Sequence, residues 1–262
     1  METTRAGWRA WLASVFAGWR TRGAKLPPHL RKPFIRRRRT TIELQFVRGT
    51  SQSQMLTREP DRLLIDYTRT MLGALVLAPR ARSIGIVGLG GGSQAKYCYR
   101  NLPGARIEVV ENNPHVLALR RRFHIPDDDA RFQVFLDDGA RFLQERRGRY
   151  DLLLVDAYDE TGIPAALSTQ AFYDDCRASL AEGGAMAINL YGADSDAHLQ
   201  WLQHAFGTDR IVAISEPRQN NSVVLAWVGT RARTDEAMTL STDAQHDLAG
   251  VFATVREALA NL

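Results

Sequence analysis

Four glycines fall within residues 88–92, "GLGGG", directly after the apolar run "SIGIV". Glycine is needed where a backbone turns through positive φ or where a ligand presses against it. Gly88, Gly90 and Gly92 form G-x-G-x-G, a turn suited to a nucleoside, although a plain tight turn has the same composition. Glu111 ends the next apolar run, 23 residues after Gly88. An acid at that place can accept hydrogen bonds from ribose hydroxyls. Asp138-Gly139 closes the third run, "FLDDG", where an acid before a glycine can hold an adenine amino group. There is no G-x-x-x-x-G-K-[ST] loop. The third glycine also comes one residue earlier than in the dinucleotide pattern G-x-G-x-x-G. The spacing therefore points to an adenosine-type ligand, and to the S-adenosylmethionine class rather than NAD.

A second group follows the fourth apolar run. "VDAYDETGIP" sets Asp156 and Asp159 three positions apart, with Tyr158 between them and Glu160 beside them. Paired carboxylates at the mouth of a site can bind a cation and accept a proton. The competing reading is an Asp-rich turn that caps the next helix. The six histidines are scattered and suggest no metal site, and His198 and His204 are expected on a solvent-facing helix surface.

The elements that must position these residues alternate in type. Apolar strands at "SIGIVG", 105–111, 130–138, 150–157 and 185–190 are separated by helical stretches, including "PHVLALRRRF" and a helix near 195–206. The helix "TQAFYDDCRASL" reads as closed by "EGG". "DRIVAISE" and "NSVVLAWVG" supply the last strands. Such alternation gives a mainly parallel sheet covered by helices on both faces. Upstream, 41–57 reads as a small β-hairpin and 60–77 as one helix. The last 22 residues read as one capped amphipathic helix. The expected division is a basic tail and linker over 1–40, a hairpin and helix over 41–80, a nucleoside-binding domain over 81–230 and a helical extension over 231–262.

Charge is unevenly distributed. Residues 1–40 hold eleven of the 34 Lys and Arg and one of the 29 acids, so the rest of the chain is net negative. A nucleic-acid role drawn from the overall basicity would be misplaced. In the tail, Trp8, Trp11, Leu12, Val15, Phe16 and Trp19 line one helical face. That face could dock on the body or on a partner subunit, lie on an anionic membrane surface, or serve weakly as a targeting segment. Residues 20–40 read as a solvated linker. Two cysteines in unrelated contexts argue against a disulfide framework and fit a cytoplasmic protein.

The stretch from about 84 to 190 resembles the spermidine synthase (polyamine aminopropyltransferase) family. The pieces that carry the resemblance are the glycine loop, "VVENNP", "DDGARFL", "DLLLVDAYDETGIP" and "LSTQAFY", joined upstream by "QSQMLT" and "DYTRTM". The resemblance implies an α/β, Rossmann-like S-adenosylmethionine-dependent methyltransferase fold with a small N-terminal β element; homodimers are common in the family, but the oligomeric state is not readable from the sequence. It implies transfer of an aminopropyl group from decarboxylated S-adenosylmethionine to an amine such as putrescine, with no metal. By matched position, Glu111 would hold the ribose and Asp138 the adenine. Asp156 would orient and deprotonate the amine, Asp159 would hold its distal ammonium, and Tyr67 and Gln54 would line the pocket. The chain also departs from the family. Gly91 stands where the family has an Asp, Leu89 replaces a glycine, and Arg69 replaces an acid after the helix tyrosine. "EPRQNNSVVLAW" lacks the expected aromatic substrate loop. These departures keep two other readings open: a transferase using ordinary S-adenosylmethionine, such as a methyltransferase, and a non-catalytic adenosine-ligand-binding protein.

Overall fold

A computed structural model describes residues 27–159, 162–192, 195–216, 218, 220–232 and 236–262. The apolar face expected over residues 8–19, and Glu160, lie outside the described residues.

The centre is a seven-stranded sheet. Its strands are β4 (Ser83–Val87), β5 (Arg106–Glu111), β6 (Phe132–Leu136), β7 (Tyr150–Val155), β8 (Leu180–Tyr191), β9 (Ile211–Glu216) and β10 (Asn221–Trp227), in the order β6-β5-β4-β7-β8-β10-β9. The pairs from β6 to β8 are parallel, while β10 runs antiparallel to both β8 and β9. Parallel strands buried on both faces carry continuous apolar runs, and the two faces sort cleanly. Ile84, Ile86, Ile107, Val109, Leu152 and Leu154 pack with residues from the N- and C-terminal parts of the chain. Val87, Val110, Leu153 and Val155 pack on the other side with Phe142, Phe172 and Leu202. The strand order reverses around β4, so the crevice beyond its carboxyl end is where a ligand is expected.

Upstream the chain forms a three-stranded antiparallel sheet of β1 (Phe34–Arg37), β2 (Thr41–Gln45) and β3 (Ser53–Leu56). Its inner residues Ile42, Leu44 and Met55 share the apolar core of the main sheet. Residues 34–37, which read as solvated linker, are the first strand. They pair in register with 42–45, and Arg38 forms an ion pair with Glu43 at 2.6 Å.

Four other expectations are corrected. The single helix over 60–77 is α1 (Asp66–Met71) followed by a 3₁₀ turn over Leu72–Val76. No side chain caps its start at Ile65, and Leu63 is drawn into the core instead. "PHVLALRRRF" is a short helix over Pro114–Leu117 and a 3₁₀ turn over Arg120–Phe123. The "EGG" expected to close the helix at Gln170–Ser179 lies within the start of β8. The C-terminal segment is two helices, Thr242–Asp247 and Ala249–Ala260, broken at the fully buried Leu248. The second packs so closely on the 72–76 turn that a Cβ on Gly73 would lie 2.6 Å from Val255 Cγ2.

Candidate active site

β4 delivers the glycine loop to the crevice. Gly88, Gly90 and Gly92 have φ of +97°, +49° and +68°, a region that side chains with a Cβ adopt at a cost. At Gly88 space is also decisive. A Cβ there would lie 2.2 Å from the Asp156 carbonyl oxygen, because the loop and the end of β7 are in contact. Gly92 then opens the helix Ser93–Asn101.

Glu111, at the end of β5, is bound to that loop. Its Oε2 accepts the Leu89 N–H at 3.0 Å and its Oε1 accepts the Asn113 N–H at 2.8 Å. Burial raises its pKa, while these backbone donors pull the other way. A carboxylate held by backbone N–H groups keeps lone pairs for a ligand hydroxyl. The neighbouring Asn113 donates its Nδ2 to the Arg31 carbonyl at 2.8 Å. That bond ties the segment before β1, including cavity-lining His29, to the Glu111 end of the crevice.

Of the next pair of acids, Asp138 caps the helix Gly139–Gln144. Its Oδ1 accepts from Ala140 N–H and Arg141 N–H at 3.0 and 3.1 Å. Asp137 and Gly139 are the members of this turn that line the cavity. Asp138 thus has a structural task that spacing alone did not reveal.

At the end of β7, Asp156 sits in a hydrogen-bonded cluster. Tyr67, from α1, donates its Oη–H to Asp156 Oδ2 at 3.2 Å, and Asn189, from β8, donates its Nδ2 to Asp156 Oδ1 at 3.1 Å. Burial raises the Asp156 pKa, and the two donors moderate the rise. Burial also drives the Tyr67 phenol well above its ordinary value. Asp159 and Gln54 face the same cavity. The structure therefore brings Gln54, Tyr67, Gly88, Leu89, Gly90, Glu111, Gly139, Asp156 and Asp159 to one rim, while Gly92 is packed against Ile125 and is not part of the lining.

The crevice encloses about 800 Å³. Its described lining includes the carboxylates of Glu111, Asp137, Asp156 and Asp159 and no lysine or arginine. Arg69 is not a cation of this site. It turns away and pairs with Asp247 of the C-terminal segment, Nη2 to Oδ1 at 3.0 Å. Gly91, by contrast, is built into the site's construction. A Cβ there would lie 2.8 Å from Ser53 Cβ, and Ser53 Oγ accepts the Gly91 N–H at 3.0 Å. A residue of β3 thus occupies the space that a side chain at 91 would need.

Several lining residues escaped the sequence. Ser53 lies within "QSQMLT" but was given no role there, and Asn189 and Asn221 carry no motif. His198, expected at the surface, is 3% exposed, hydrogen-bonds Tyr173 at 2.5 Å and lines the cavity. Its helix, Ser195–Phe206, packs on Gln170–Ser179 rather than lying free.

Comparison with known proteins agrees with this geometry. A spermine/spermidine synthase domain matches residues 63–200. A polyamine aminopropyltransferase from Chromobacterium violaceum is 32% identical over 199 residues, covering 71% of this chain and 76% of that protein. A probable spermidine synthase from Corynebacterium glutamicum superposes with a TM-score of 0.65 at 16% identity, over 84% of this chain and 91% of that one. Human methyltransferase-like protein 13, solved in complex with SAH, gives 0.58 at 19% identity, over 74% of this chain and 93% of that one. The two structural likenesses establish the Rossmann-like methyltransferase fold. The domain match and the sequence identity establish more: the chain belongs to the spermine/spermidine synthase family of transferases.

Proposed function

We propose that the crevice binds decarboxylated S-adenosylmethionine and transfers its aminopropyl group to a primary amine such as putrescine. The observation that carries this reading is the charge of the walls. Both substrates are cations, and the described lining carries the carboxylates of Glu111, Asp137, Asp156 and Asp159 and no lysine or arginine, although Arg141, outside the lining, pairs with Asp137. Complementary charge selects ligands of that class and disfavours others. Family membership also speaks for aminopropyl rather than methyl transfer.

In this reading the nucleoside lies along the glycine loop. Its ribose hydroxyls meet Glu111, and its adenine edge meets the turn formed by Asp137, Asp138 and Gly139. The amine enters beside Asp156, with its far ammonium toward Asp159. The amine nitrogen attacks the methylene carbon bonded to the sulfonium, forming the N–C bond as the C–S bond breaks. The electron pair goes to sulfur, which leaves as the neutral thioether of methylthioadenosine. The proton lost by the amine passes to the Asp156 carboxylate. The sulfonium is already an activated leaving group, so positioning and proton acceptance are what the chain must supply. A buried carboxylate with a raised pKa is a stronger base than an exposed one.

The test is to incubate the chain with each donor and a panel of amines, and to identify the nucleoside released. Methylthioadenosine together with an aminopropylated amine supports the reading. Release of S-adenosylhomocysteine from the ordinary donor alone would overturn it.

A further inference from the structure

Asn189 is 3% exposed and lies in β8 beside Asp156. Three groups of the amine end converge on it. Its Nδ2 donates to Asp156 Oδ1 at 3.1 Å, its Oδ1 accepts from Asn221 Nδ2 at 2.7 Å, and its main-chain carbonyl accepts the Tyr158 hydroxyl at 2.8 Å. The strand register explains the contact between the two asparagines. Asn189 pairs with Val223 and Tyr191 with Asn221 across the antiparallel β8–β10 ladder. Asn189 and Asn221 are therefore diagonal neighbours on one face, within side-chain reach.

A carboxamide has a donor end and an acceptor end. Asn221 presents N–H to the oxygen of Asn189, so the nitrogen of Asn189 must face Asp156. Reversed, the amide would set an oxygen against the carboxylate and two NH₂ groups against each other. We propose that Asn189 and Asn221 form a positioning pair: Asn189 holds Asp156 as a carboxylate aimed at the amine, and Asn221 acts only by fixing the orientation of Asn189. The inference rests on the reading of Asp156 as the proton acceptor. The other titratable groups facing Asp156 are Tyr67, from α1, and Tyr158, from the turn after β7. Burial pushes both phenols above their ordinary value, so neither changes charge over the working pH range.

The test compares Asn189→Leu, Asn221→Leu and the double variant in the full chain. The readouts are kcat, the amine KM, the affinity for methylthioadenosine and the acidic limb of kcat/KM. Loss of a hydrogen bond to a charged group lowers kcat by about 10- to 100-fold in Asn189→Leu, with the acidic limb displaced upward. Asn221→Leu gives a smaller fall in the same direction. Because Asn221 acts through Asn189, the double variant matches Asn189→Leu alone. Methylthioadenosine affinity stays within about twofold in all three, since no donor-side contact is lost. Multiplicative effects in the double variant, or an unmoved acidic limb, would overturn the pair. Asn221 is only partly buried, so its variant remains informative if Asn189→Leu folds poorly. A carbon-13 titration of the Asp156 carboxyl group needs no turnover. An upward shift in the variants supports the pair even if the wild-type reaction proves different, and an unchanged titration rejects it.

Discussion

Asp156→Asn separates catalysis from stability. In the wild type, Asp156 accepts from Asn189 Nδ2 and from the Tyr67 hydroxyl. An asparagine fits the same cluster, because its oxygen can face Asn189 while its nitrogen faces Tyr67, whose oxygen accepts as readily as its hydrogen donates. No hydrogen bond need be lost, and a desolvated carboxylate is removed. Folding stability should therefore hold or rise by up to about 1 kcal/mol. Proton acceptance, however, is abolished. A positioned base contributes about 10²–10⁴ in rate, or roughly 3–5 kcal/mol of barrier. The assay measures kcat by methylthioadenosine release, donor affinity by calorimetry and the midpoint of thermal unfolding. The expected pattern is a kcat lower by about two to four orders of magnitude, an almost unchanged donor Kd and an unchanged or higher melting temperature. The wild-type acidic limb should also lie above the ordinary carboxylate range, since activity falls as pH drops through the raised Asp156 pKa. Lost donor binding with intact turnover, or a large fall in melting temperature, would refute the reasoning.

Other sites allow further tests. Glu111→Ala removes the carboxylate that receives the Leu89 and Asn113 N–H groups. It should weaken methylthioadenosine binding by about tenfold or more, and unchanged affinity by calorimetry would remove Glu111 from the ribose. Asp137→Asn and Asp138→Asn, compared in the same assay, locate the adenine contact; an asparagine at 138 still caps the helix. A drop confined to Asp137→Asn would assign the contact to the cavity-lining acid. Lys96 is 1% exposed, donates to the Phe123 carbonyl at 2.8 Å and is pushed by burial down to about 8 from 10.5. Its folded pKa is depressed, so its contribution to stability is fully present above 10.5 and is lost as pH falls through about 8. Wild-type stability should include a rise over that window, and Lys96→Met should lack it. The shift corresponds to about 3 kcal/mol, against which the orphaned carbonyl costs about 1–3 kcal/mol. Parallel melting curves for both proteins across this pH range would argue against a strained buried lysine.

Several lining residues of the proposed nucleoside half were legible because their signals are local. A glycine turn after an apolar strand, an acid at the next strand end and an acid–glycine step each declare themselves within a few residues. What the sequence did not reveal depends on partners far along the chain. The strand at 34–37 exists because 42–45 pairs with it, and four arginines in a row disguised it. Arg69 stands where the resembling family has an acid, but Asp247, 178 positions away, captures it. Gly91 read as an eroded position, yet Ser53 of β3 fills the space beside it. Asn189 and Asn221 have no motif, because their role arises from the register of two antiparallel strands. Asp138 was identified as an acid at the right place, but spacing could not show that capping already engages one of its oxygens.

The most direct measurement is calorimetric titration of the full chain with the two donors, decarboxylated and ordinary S-adenosylmethionine, under identical conditions. They differ by one carboxylate at the end that faces the acidic wall. The expected result is tighter binding of the decarboxylated donor, by about tenfold or more, with the preference shrinking as salt is raised. Equal affinity, or a preference for the ordinary donor, would contradict the claim that the carboxylates of this crevice select two cationic substrates.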